Sequence, residues 1–304
     1  MSENNKVSRR GAIAKELISG FNSNAFFRNN FIEEDRSKSD IDKKFNYPEH
    51  FQVERIDLDD FSMELLTWKD SKNDKVVLQL HGGGYVTALR NSYRTMAGLY
   101  SEVGKGVSVL TIDYRIAPEH PFPAALDDAL CAYRWLLDKG YTEDKIILGG
   151  DSAGGGLAMA MCHYFKDNSM KMPLGIVAMS PWTDLTSSGS SYKDNKEKDP
   201  IFGHRNDIFE NDSPYVADES PSNPYISPLF GDFEGFPPML IQVGTEEMLL
   251  SDSLSVATKA KEAGVKVKLT IYEGMFHVFQ LTATILPESK KAWSEVGKFF
   301  EVLN

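Results

Sequence analysis

Short apolar runs, each closed by a Gly, Pro, Asp or Ser cluster and separated by longer stretches of helical periodicity, constrain this chain more than any other feature. They are Val76 to Leu80, Val107 to Ile112, Ile146 to Leu148, Gly175 to Met179 and Met239 to Val243. Apolar runs this short and often β-branched read as strands, and the helical lengths between them are what parallel crossovers need. The alternation predicts an α/β fold with a mostly parallel sheet flanked by helices. Lys266 to Tyr272 differs, because Val267, Leu269 and Ile271 alternate with Lys266, Lys268 and Thr270. Lysines on one face of such a strand place it at or near a sheet edge.

Two helices follow from spacing. Leu126, Leu130, Tyr133 and Leu137 recur at helical intervals between Pro123 and Gly140, and Ala292, Val296, Phe299, Phe300 and Leu303 do so after Pro287. A chain of 304 residues is within reach of a single α/β domain, and residues 51–304 are expected to form it. Two regions stand apart. Residues 1–50 carry Ile13, Leu17, Ile18 and Phe21, an amphipathic turn-and-a-half ending at Gly20; it is too short to fold alone and is expected to pack as a cap helix, with a surface or membrane-touching helix as the alternative. Residues 186–235 are polar and rich in Ser, Asp, Asn and Pro, and an insertion of that length in a compact domain is expected to add to the cap.

Composition excludes several classes of function. The net charge of −11, from 33 basic and 44 acidic residues, argues against a nucleic-acid partner, since phosphate binding needs clustered Lys and Arg. Cys131 and Cys162 sit in apolar helical stretches, where a thiol packs as a small hydrophobe, and they form no disulfide framework or metal spacing. No apolar run approaches the ~20 residues of a membrane span, and the polar start from Met1 to Arg10 is unlike a signal peptide. A cytoplasmic protein with no cofactor and no metal is expected.

Gly150-Asp151-Ser152-Ala153-Gly154 links the strand at Ile146 to the apolar helix Leu157 to Phe165. That is G-x-S-x-G at a strand-to-helix turn, which lifts a serine hydroxyl above the sheet as a nucleophile. His81-Gly82-Gly83-Gly84 directly follows the strand Val76 to Leu80. A phosphate loop would want a Lys-Ser or Lys-Thr pair or a G-x-G-x-x-G frame, and neither is present. The tetrad reads instead as an oxyanion hole, with bare backbone N–H groups converging on a tetrahedral intermediate. On this architecture nucleophile, acid and histidine follow in that chain order, so His50, His81 and His120 drop out. His163 lies among apolar neighbours on the helix running away from Ser152, and His204 falls inside the polar insertion. His277 remains, in the loop after the last strand. The acid is expected after Met239 to Val243, where Glu246, Glu247 and Asp252 are candidates; a plain helix N-terminal charge would account for any of them.

These motifs, together with Asp113-Tyr114-Arg115 and Ala117-Pro118-Glu119-His120-Pro121, resemble the hormone-sensitive-lipase-like branch of α/β-hydrolases, the bacterial family IV carboxylesterases, from about residue 70 onward. The chain is especially similar to members described as monoterpene lactone hydrolases. The resemblance implies an α/β-hydrolase fold with an eight-stranded sheet, a helical cap built partly from the N-terminus, no cofactor, a possible homodimer, and hydrolysis of short- to medium-chain esters. It makes Ser152 the nucleophile, His277 the base, and the amides of Gly83, Gly84 and Ala153 the oxyanion donors. Many relatives have Asp-Pro-Leu where this chain has Glu247-Met248-Leu249, so the resemblance implies that Glu247 is the acid. Two alternatives stand beside the esterase: a small-molecule receptor on the same fold, whose plant members have lost the catalytic histidine, and an amidase or deacetylase using the same residues.

Overall fold

The computed structural model describes residues 7–23, 36–203 and 213–303. His204 lies outside these residues, and the side chain of Phe21 is likewise not described. Eight strands form one sheet in the order β1-β2-β4-β3-β5-β6-β7-β8. The runs singled out above become β3 (Val76–Leu80), β4 (Ser108–Asp113), β5 (Ile146–Asp151), β6 (Gly175–Met179) and β7 (Met239–Gly244), with β8 (Val267–Tyr272) beyond them. Neighbours from β4 through β8 pair in parallel, so their carboxyl ends open on one side. Every residue of β3, β5, β6 and β7 is buried, as continuous apolar runs require. The lysine-bearing β8 is an edge strand, pairing only with β7 among the described residues, but its alternation is imperfect, since Ile271 is exposed.

Periodicity did not reveal the opposite edge, the hairpin of β1 (Phe51–Asp57) and β2 (Ser62–Trp68). It pairs antiparallel, and β2 joins β4 antiparallel as well. Phe-Gln-Val-Glu-Arg-Ile-Asp on β1 is largely exposed, so it lacks the apolar signature of a central strand.

The helices are α1 (Arg9–Ser23), α2 (Asn91–Val103), α3 (Ala124–Asp138), α4 (Ala153–Asp167), the single turn α5 (Ser191–Asp194), α6 (Leu250–Glu262) and α7 (Pro287–Val302). Pro123 and Gly140 bracket α3 and Pro287 opens α7, as the spacing predicts. Two core layers cover the sheet: α3, α4 and α6 contribute to one, α2 and α7 to the other.

Three expectations need correction. Cys131 is exposed on α3, whereas Cys162 is buried on α4; the apolar stretch around Cys131 turns its other side to the core. In α1 the large residues do not form the packed stripe, because Ile13 and Leu17 are 48% and 69% exposed. Val7, Ala14 and Ile18 pack instead, against a cluster of Tyr272, Met275, Phe276, Phe279, Leu286 and Ala292. A methyl added at Gly11 would come within 2.8 Å of Met275 Cε, so small residues let α1 sit close. The helix also runs past Gly20 to Ser23.

Candidate active site

Ser152 sits between β5 and α4 with φ 51° and ψ −122°. A non-glycine residue in that region carries strain of about 1–3 kcal/mol and persists only where its surroundings hold it. They do so here. Ser152 N donates to Met179 O at 2.9 Å, and Ser152 O accepts from Trp182 N at 2.9 Å and Gly156 N at 3.1 Å. Gly154 packs so closely on the end of β3 that a methyl there would lie 2.0 Å from Leu80 O. That approach brings the start of α4 beneath the His81–Gly84 loop.

His277 follows β8 in the next loop, and its Nε2 lies 2.9 Å from Ser152 Oγ. Its Nδ1 lies 3.0 Å from Glu247 Oε2. Of the three carboxylates weighed after β7, Glu247 is the one that reaches the imidazole. Glu246 turns away and pairs with Lys15 of α1 at 2.8 Å. Asp252 accepts the amides of Thr183 and Asp184 at 2.8 and 2.9 Å. Glu247 is fully buried. Burial pushes its carboxyl pKa up, offset by the hydrogen bond and charge of His277 and by the donors Gly244 N and Ser180 Oγ. Those donors reach its Oε1 at 2.5 and 2.8 Å. The amides of Gly83, Gly84 and Ala153 make no hydrogen bond among the described residues. Donors with no partner near a positioned hydroxyl are what an oxyanion requires. His163 is buried on α4 with Nε2 3.0 Å from Pro228 O, and burial lowers its pKa to about 4.

Motif spacing missed the supports around this chain of hydrogen bonds. Ser180, itself at φ 49°, donates to Glu247 and accepts from Val278 N at 3.2 Å. Asn195 Nδ2 donates to Thr245 O and Glu247 O at 3.0 and 2.9 Å. Asp199 accepts from Met248 N, Ile201 N and Phe202 N. These bonds fasten the first part of the polar insertion to the Glu247 loop and set the Phe202 ring 4.7 Å from that of His277. Asp199, two residues before Ile201, carries an Asx-turn signal; nothing local marks Ser180.

Comparison with known proteins agrees with this geometry. Residues 77–281 match the alpha/beta hydrolase fold family, about two-thirds of the chain. An acetyl-hydrolase of Streptomyces hygroscopicus is 37% identical over 228 residues, 75% of this chain and 76% of that protein. An esterase of Acinetobacter venetianus is 36% identical over 227 residues, 74% of each. Among solved structures, the esterase EstE5, from a crystal soaked with p-nitrophenyl butyrate, superposes with a TM-score of 0.83 at 35% identity, covering 96% of this chain and 98% of its own. An esterase of the bacterial hormone-sensitive lipase family superposes with a TM-score of 0.84 at 34% identity, covering 100% of this chain and 99% of its own. The chain therefore belongs to the hormone-sensitive-lipase-like family of α/β-hydrolases and is a carboxylic-ester hydrolase.

Proposed function

We propose that this enzyme hydrolyses short- to medium-chain carboxylic esters through an acyl-enzyme on Ser152. The observation that carries the reading is the unbroken path from Ser152 Oγ through His277 to Glu247, with hydrogen bonds of 2.9 and 3.0 Å. In the first half-reaction Ser152 Oγ attacks the ester carbonyl while His277 Nε2 takes its proton. Glu247 holds Nδ1–H, fixing the tautomer and stabilising the imidazolium. Gly83, Gly84 and Ala153 N–H groups receive the oxyanion, and the imidazolium then protonates the departing alcohol. Water, deprotonated by His277, attacks the acyl-enzyme in the second half and releases the acid. Lactones are cyclic esters and fall within the same chemistry. A capping role for α1 and for residues 190–203 of the insertion is part of this reading, supported by the Lys15–Glu246 ion pair and by the anchoring of residues 190–203 on the Glu247 loop.

Hydrolysis of p-nitrophenyl esters from acetate to palmitate, run beside Ser152→Ala, tests this reading. The wild type should favour the short and middle members. The variant should lose turnover on the scale of ~10⁶ seen for triad knockouts in subtilisin. Near-normal hydrolysis by the variant would remove Ser152 from the mechanism.

A further inference from the structure

Beneath the His81–Gly84 loop lies a carboxylate to which the hydrolytic scheme gives no task. Asp151 ends β5, directly before Ser152, and its side chain turns under the loop, leaving the residue 2% exposed. Its Oδ1 accepts the Gly82 amide at 3.1 Å and its Oδ2 accepts the Tyr93 hydroxyl at 3.2 Å. The fit is close, since a methyl at Gly82 would approach Oδ2 to 2.3 Å.

The peptide between His81 and Gly82 is thus gripped at both ends: Asp151 holds its N–H, and Tyr114 Oη donates to its oxygen at 2.6 Å. The His81 ring stacks on Tyr114 with centroids 4.0 Å apart and brings Nδ1 to 2.7 Å from Gly82 O. Gly82 O and Gly83 N–H belong to one planar peptide and point in opposite directions. Fixing the oxygen from below therefore aims the N–H. The next peptide is held by the loop's own turn, Gly83 O accepting from Val86 N and Thr87 N, each at 3.1 Å. Gly83 and Gly84 take φ +115° and +64°, and their amides meet no partner among the described residues.

On the reading of Ser152 as nucleophile, we propose that Asp151 is a positioning residue for the oxyanion loop, holding the Gly82 amide so that the adjoining Gly83 N–H keeps its aim. Asp151 and Ser152 are consecutive, so the loop and the nucleophile hang from one piece of backbone. Packing alone would not call for an ionisable group here. Burial raises the Asp151 pKa to about 7, against the opposing pull of His277, the Gly82 amide and the Tyr93 hydroxyl. An apolar residue would avoid that cost, but only an acceptor can hold the amide.

The test pairs Asp151→Ala, which removes the acceptor, with Asp151→Asn, which keeps one without the charge. Turnover is counted per serine titrated by a phosphonate ester, so misfolded protein does not enter the rate. Affinity is measured for an alkyl trifluoromethyl ketone. Ser152 Oγ adds to its carbonyl carbon, the C=O electron pair moves to the oxygen, and the serine proton passes to His277, leaving an oxyanion in the hole. Asp151→Ala should lower kcat about tenfold to a hundredfold, less than the ~10²–10³ for losing a donor outright. KM should be nearly unchanged, ketone affinity should fall by the same factor as kcat, and Asp151→Asn should recover most of both. Wild-type kcat per titrated site in Asp151→Ala, or an Asn variant as impaired as Ala, would overturn the proposal. Should Asp151→Ala not fold, Tyr93→Phe carries the test: it should lose several-fold in kcat and ketone affinity, and unchanged values would count against the role. The premise is checked separately with Ser152→Ala. If the wild type bound the ketone no more tightly than that variant, the nucleophile reading itself would fail.

Discussion

At the scale of single residues, the sharpest contrast is between neighbours. Glu246 and Glu247 are adjacent, yet one faces Lys15 at the surface and the other is buried against His277. Glu247→Gln removes the charge that steadies the imidazolium and leaves Nδ1 open to the wrong tautomer. Turnover should fall on the scale of ~10⁴, the cost of the corresponding Asp-to-Asn change in a serine protease. Glu246→Gln breaks only a partly exposed ion pair, worth about 0–1 kcal/mol, and should leave turnover within a few-fold of wild type. Steady-state kinetics on p-nitrophenyl butyrate separates them, and the reverse ranking would move the acid to Glu246. Ser152 and His277, which the structure brings to within 2.9 Å of each other, could be singled out in the sequence because motif context and chain order leave few candidates. Choosing among the acids needed the family resemblance, since local spacing left Glu246, Glu247 and Asp252 equivalent. Ser180 was invisible because its partner Glu247 is 67 positions away, and no periodicity reports such a contact.

At the scale of elements, buried strands were legible and half-exposed pieces were not. β3 through β7 advertise themselves through continuous apolar runs. The β1–β2 hairpin does not, because most of β1 meets water. In α1, size misled: the largest apolar side chains face outward, and close approach to the His277 loop selects Ala14 and Gly11. Ser8 directly precedes that helix, and its N–H and hydroxyl donate to Glu288 of α7 at 2.6 and 3.0 Å, so the placement rests on polar anchors as well as packing. The insertion is anchored in the same manner by Asp199, which is buried and accepts three amides. Asp199→Ala would leave those amides without their acceptor, at about 1–3 kcal/mol for each that stays buried. The Glu247 loop and the Phe202 ring would then lose their shared support. Lower unfolding free energy in urea together with reduced turnover per titrated site is expected. A loss of stability with turnover per site unchanged would mean that the insertion does not position the site.

For the whole molecule, buried titratable groups tie stability to pH in opposite directions. His163 is held neutral to about pH 4 by burial, while an unfolded histidine takes a proton near 6.5. Between those values the unfolded chain binds more protons, so this stabilisation is lost as pH falls, by about 3 kcal/mol in all. Asp151 and Asp252 are both raised to about 7 by burial. Their contribution has the other sign: it is greatest below the ordinary carboxylate range and fades as pH rises to about 7. Comparing wild type with His163→Gln isolates the histidine. The stability difference between them should shift by about 3 kcal/mol in favour of the variant between pH 7 and pH 4. Parallel losses in the two proteins would show that His163 takes no part in acid unfolding.

Among the described residues no helix is long and apolar enough to cross a membrane, and β8 has no strand on its outer edge. The central claim concerns neither surface but a single covalent bond. Mixing the enzyme with p-nitrophenyl butyrate, quenching in acid within the first turnovers and weighing the intact and digested protein tests it directly. The account predicts a mass gain of one butyryl group, confined to the peptide bearing Ser152 and absent from Ser152→Ala. A butyryl group on another residue, or hydrolysis at full rate with no acylated protein and no loss of turnover in Ser152→Ala, would contradict it.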